Sequence, residues 1–192
     1  MFWPIVLPFQ LTCLLLAVAT CAVVWYAPRR NWKRSHLFFA CIGMSFLLFV
    51  PACIGIGTVA DHFRFGRFSH SNYDQINDFR VQRYMPPAAS NVDVDKYASG
   101  FRARYEISPD ELDQWIDGLW QRYGDVSAIS RDELEREPLD NLEYTSHVFD
   151  GLPWQPKLGC EEISGPVAGN GAGFTIWYNR SDGIAYERAG YW

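Results

Sequence analysis

Residues 1–60 contain no Asp and no Glu. That absence argues against ion or proton transport through this region, because such transport usually leaves an ionisable residue inside the bilayer. The formal side-chain charges there are Arg29, Arg30, Lys33 and Arg34 alone. Residues 61–192 lack the reverse: 13 Lys and Arg stand against 22 Asp and Glu, a formal charge of −9. That balance argues against general nucleic-acid binding, which needs clustered Lys and Arg to neutralise phosphates. This part is also poor in cysteine. Cys13, Cys21, Cys41 and Cys53 precede it and Cys160 is alone in it. No disulfide can form within it, so the fold must stand on its core. About 130 residues suffice for that.

A chain divided in this way has two solvents, lipid and water. The first apolar run carries 21 uncharged residues between Trp3 and Trp25. At 1.5 Å per residue they span roughly 32 Å, close to the ~30 Å hydrocarbon core. Trp3, Trp25 and Tyr26 read as interfacial anchors. The second run, 37–60, holds Pro51 and a set of small residues: Ala40, Gly43, Ala52, Gly55 and Gly57. Small residues allow close helix contact, in a hairpin or between copies of the chain. The expected organisation is a transmembrane helix over 1–27, a short loop over 28–36, a second transmembrane helix over 37–60, a juxtamembrane segment over 61–87 and a soluble α+β domain over 88–192. The loop carries Arg29, Arg30, Trp32, Lys33 and Arg34 with no acid. The positive-inside rule puts it in the cytoplasm and both termini outside, as in a bacterial inner membrane. A cleaved signal peptide would need basic residues before its apolar stretch, whereas these follow it.

Past the second run, Phe63, Phe65 and Phe68 interleave with Arg64 and Arg67. They read as a collar, with rings among headgroups and guanidinium groups on phosphates. In the domain, Val92 and Val94 alternate with Asp93 and Asp95, and Phe101, Ala103, Tyr105 and Ile107 alternate with Arg102, Arg104 and Glu106. Period two predicts two strands with one buried face each. Ser108-Pro109-Asp110-Glu111 is a capping box with proline at the first helical position. Leu112, Trp115, Ile116, Leu119, Trp120 and Tyr123 follow at helical spacing, and Gly124 is placed to end the helix in a left-handed conformation. A second box, Ser130–Glu133, precedes Pro138. From there to Gly173 no period is visible, which predicts a long ordered loop. Phe174–Tyr178 and Ile184–Arg188 are strand-like around a turn at 179–183. The fold expected is thus an antiparallel sheet of about four strands in the order β-β-α-loop-β-β, with one main helix packed on it.

No constellation carries chemistry. Gly169, Gly171 and Gly173 precede a strand rather than a helix, so they read as turn rather than phosphate cradle. Cys160 and His147 lack the spacing of a nucleophile and base, and Glu161 and Glu162 beside the thiol would blunt it. His62, His70, Asp61 and Asp74 lack metal-ligand spacing, so neither metal nor cofactor is expected. Asp110, Asp113 and Asp117 share a helix face, open to a basic partner. Trp154 and Trp192 are the loop aromatics best placed to anchor one. The function expected is a membrane-tethered, non-enzymatic extracytoplasmic interaction domain, its partners the bilayer and a protein or a second copy. The alternatives are an accessory subunit of a larger membrane complex and an enzyme working through loop 139–172.

Overall fold

The computed structural model describes residues 3–26, 33–131 and 138–191. The chain divides into two compact units, Met1–Arg64 and Phe65–Trp192.

The first unit is a pair of long apolar helices, α1 (Trp3–Tyr26) and α2 (Arg34–Arg64). Leu, Ala, Val and Phe dominate both, and α2 runs unbroken through Pro51. Along α1, Pro8, Thr12, Leu16, Thr20 and Val24 are the shielded positions. Recurrence every fourth residue makes one stripe along a helix. The Thr12 hydroxyl donates to the Pro8 carbonyl at 2.7 Å, which satisfies it within α1. Phe9 meets Phe49 edge-on at 5.3 Å, and Pro8 packs against Gly57. A Cβ added at Gly43 or Gly55 would meet no described residue outside its own helix backbone within 4 Å. Of the small residues, then, Gly57 serves the helix contact and Gly43 and Gly55 do not.

The second unit is an antiparallel six-stranded sheet. Its strands are β1 (Gly66–Asn72), β2 (Ser90–Tyr97), β3 (Gly100–Glu106), β4 (Glu161–Ser164), β5 (Gly173–Asn179) and β6 (Ile184–Gly190). Their order is β1-β2-β3-β6-β5-β4. The sequence leads to four strands, and those are the central four; β1 and β4 are the correction. Both are edge strands, which need bury little. In β1 only alternate residues are even half-buried, and in the four-residue β4 only Ile163 is fully buried. So little burial leaves too weak an alternation to read.

One face of the sheet carries the main core. Val92, Val94, Phe101, Ala103, Tyr105, Ile176 and Tyr178 pack there with Val81 of α3 (Phe79–Tyr84) and Leu112, Ile116 and Trp120 of α4 (Pro109–Tyr123). α4 starts at its capping-box sequence, through bonds of the Ser108 hydroxyl rather than the full reciprocal pattern. The Ser108 hydroxyl accepts the Glu111 amide at 3.4 Å and donates to the Glu111 carboxylate at 2.6 Å. Its end differs from expectation. Gly124 is right-handed, at φ −59°, and leads into a 3-10 turn over Gly124–Val126. Its lack of a side chain serves packing instead, since a Cβ there would stand 3.3 Å from the Trp120 ring.

The other face carries Trp177 and Tyr186, covered by Phe149, Leu152, Trp154 and Cys160. The stretch without sequence period is therefore a lid over a second core, with a short helix α5 (Glu143–Val148). Two arginines on the strands hold it. Arg102 donates to the carbonyls of Val148 at 2.8 Å and Asp150 at 3.3 Å, and Arg67 to that of Gly151. Of the second capping box, Asp132 and Glu133 lie outside the described residues.

Candidate functional site: a cleft beside the main helix

α4 presents more apolar surface than the sheet covers. Leu112, Ile116 and Trp120 point straight into the core and are buried. Trp115, Leu119 and Tyr123 lie about 100° round the helix, since each residue turns it by that angle. They are only partly covered and form one wall of a cleft of about 490 Å³. Tyr84, Met85 and Pro87, where α3 runs out into the Pro86–Pro87 turn, form the second wall. Pro166, Val167 and Ala168 form the third, and Phe174 sits between them.

Each wall is held by hydrogen bonds. The Tyr73 phenol donates to the Gln82 carbonyl at 3.1 Å, fixing α3. Burial, and secondarily the Asp74 carboxylate, raise the Tyr73 pKa, so the phenol keeps its donor proton. The 165–172 loop is tied to the end of α4. Ala128 N–H donates to the Val167 carbonyl at 2.7 Å, and Val167 N–H to the Ser127 hydroxyl at 3.0 Å. The Trp120 indole donates to the Ser164 carbonyl at 3.3 Å. Phe174 packs with Trp115 at 5.2 Å and Tyr84 at 6.1 Å. It can do so because residue 165 is glycine: a Cβ there would fall 2.2 Å from the Phe174 ring.

Polar side chains, among them Tyr73, Gln82 and Ser127, share the lining of the cleft with the apolar ones, and the charged ones among the described residues are of one sign. Arg83 and Arg122 line it, and among the described residues no Asp or Glu does. Arg83 lies 5.5 Å from the Tyr84 ring and Arg122 5.9 Å from the Tyr123 ring. An apolar cleft of this volume with a small number of convergent polar groups is the usual form of a small-ligand site.

The residues singled out in the sequence lie elsewhere. Asp110, in the first turn of α4, is exposed; Asp113 pairs with Arg180 at 3.2 Å and Asp117 pairs with Arg131. Trp154 is half-buried against Phe149, at 5.7 Å. Trp25 and Tyr26 are exposed at the end of α1, and Lys33 and Arg34 are exposed beside the start of α2. Phe63 and Arg64 occupy the last turn of α2. Phe65 links it to β1, where Phe68 lies under the Lys96 ammonium at 4.3 Å and Arg67 faces Asp95. The side chain of Trp3, together with Arg29, Arg30, Trp32 and Trp192, lies outside the described residues. Cys160 is buried, and burial raises its thiol pKa. Among the described residues no three His, Cys, Asp or Glu side chains converge to hold a metal ion.

Of the cleft residues, the sequence shows Trp115, Leu119 and Tyr123 only as part of a core stripe. Compared with protein-family models, curated proteins and solved structures, the chain matches none.

Proposed function

We propose that this is a membrane-tethered, non-enzymatic binding module, held by α1 and α2 with its sheet domain outside the cytoplasm, and that its ligand occupies the cleft beside α4. The observation that carries the reading is the cleft itself: three hydrogen-bonded walls, aromatic and aliphatic lining, and two arginines as its charged groups. The tether rests on length and exposure. At 1.5 Å per residue, α1 and α2 reach roughly 36 and 46 Å, enough for a ~30 Å hydrocarbon core. Their outer faces leave Leu14, Phe46, Leu47 and Ile54 between 60% and 79% exposed. A soluble protein rarely leaves so extensive an apolar surface to water. Four bases and no acid in the 28–36 loop support a cytoplasmic loop. The binding role draws further support from the buried thiol, which is poorly suited to act as a nucleophile.

The test uses the full chain extracted from its native membranes into lipid nanodiscs, followed by native mass spectrometry. The expected result is a small-molecule adduct on the wild type that is lost in Leu119→Trp, which fills the cleft. A chain free of small molecules in every preparation overturns the reading. A defined complex with other proteins points instead to an accessory subunit. Orientation is read by a membrane-impermeant maleimide in intact cells. It should label Asp125→Cys and spare Asn31→Cys, and the reverse pattern refutes the topology.

A further inference from the structure

Resting on that reading of the cleft, we infer the class of its ligand: a single-chain anionic amphiphile of the fatty-acid type, with its acyl chain against the aromatic walls and its carboxylate on Arg83 and Arg122.

The inference starts from where the charges are. Residues 61–192 carry nine more acids than bases. Five cations of the sheet unit are held by that excess. Lys96 pairs with Asp78, Arg102 with Asp95, Arg104 with Asp93, Arg131 with Asp117, and Arg180 with Asp113 and Glu161. Arg83 and Arg122 are not among these five, and both line the cleft. Both are exposed, and among the described residues neither has a carboxylate partner. Each instead lies near the ring of the tyrosine that follows it. They sit on different elements, α3 and α4, yet both line the one cleft. Two guanidinium groups with no carboxylate partner among the described residues, lining one pocket with no acid among its described lining residues, are complementary to an anion. Arginine is also the side chain that binds a carboxylate in bidentate fashion.

The remainder of the lining includes an apolar surface that a simple inorganic anion would leave uncovered. Leu119, Phe174, Pro87 and Val167, with the ring of Trp115, offer apolar surface. A ligand that satisfies both parts has an apolar body and one charged end. A cleft of about 490 Å³ suits a drug-sized molecule, not a folded partner.

The test keeps the full chain in phosphatidylcholine nanodiscs, whose lipid carries no net charge. Two photoreactive probes are compared: a diazirine-tagged medium-chain fatty acid and the primary alcohol of the same length. Adducts are mapped by peptide mass spectrometry. The expected result is labelling by the acid within 115–123 and 166–174, with the alcohol labelling the same segments weakly. Arg83→Gln with Arg122→Gln should cut labelling by the acid about tenfold and leave that by the alcohol unchanged, since charge-assisted hydrogen bonds are worth at least that factor. Both side chains are exposed, so the double variant keeps the core intact. Equal labelling by acid and alcohol, or acid labelling indifferent to the two substitutions, overturns the anionic ligand while leaving the cleft reading in place. Adducts confined to 3–64 with both probes overturn both.

Discussion

Replacing Glu187 with glutamine should remove a pH dependence from the stability of the sheet. Glu187 lies on β6, opposite Ala103 of β3 and Ile176 of β5, on the face packed under α4. It is fully buried, and neither carboxyl oxygen makes a hydrogen bond of normal geometry; the buried Tyr105 hydroxyl is in the same position. Desolvation raises the Glu187 pKa well above its ordinary 4.5, and the nearby Tyr105 hydroxyl only partly counters it. An acid raised in this way keeps its proton in the fold after the unfolded chain has lost it. Its contribution is fully favourable below about pH 4.5, falls as pH rises towards the folded value, and is constant above that. The slope within the window is that of one proton, about 1.4 kcal/mol per pH unit. Glutamine has the same shape and no proton to lose, so the variant should lack the slope. Hydrogen exchange at the amides of β3, β5 and β6 reads this in the full chain. Comparing wild type with Glu187→Gln at matched pH cancels the intrinsic exchange rate. The ratio of protection factors should shift in favour of the variant by about tenfold per pH unit inside the window. Tyr105→Phe removes the only polar counterweight and should extend the window to higher pH. A wild-type-to-glutamine ratio that stays constant from pH 4.5 to 8 would mean that Glu187 is ionised in the fold, and would refute the reasoning.

Gly165→Ala should cost about 1–3 kcal/mol through overpacking against Phe174 and should also deform the cleft; urea unfolding of the sheet unit measures the first, and wild-type stability would show that the Phe174 contact is not as close as described. Ser108→Ala removes the cap of α4 and should cost about 1 kcal/mol, read as faster amide exchange in the first turn of that helix. Cys160 should stay unmodified by iodoacetamide up to pH 8.5 in the folded chain, because burial holds its thiol up, and should react fully in urea. Peptide mass spectrometry separates it from the four other cysteines, and rapid labelling in the fold would contradict its place beneath Phe149 and Trp177.

The parts of this fold legible in the sequence are those where burial is complete and local. The hairpin of β2 and β3 alternates cleanly because one face meets α4. α4 is announced by Ser108, Pro109 and Glu111 because its first amides need partners that only nearby side chains can supply. The illegible parts are those whose partners are distant. The lid over 139–160 has no period because its apolar residues, Phe149, Leu152 and Trp154, cover a face of Trp177 and Tyr186 as irregular chain. Arg67 and Arg102 fix it through backbone carbonyls, which leave no mark on the residues that own them. The cleft fails to show for a related reason. Trp115 and Leu119 look like core in a periodic stripe, and Arg83 and Arg122 look like ordinary solvated charge. What makes them a candidate site is the meeting of α3, α4 and the 165–172 loop, enabled by a missing side chain at Gly165. In one dimension that glycine is indistinguishable from its turn-forming neighbours. In three it is the point at which Phe174 passes beneath the loop, so the loop and the helix become facing walls.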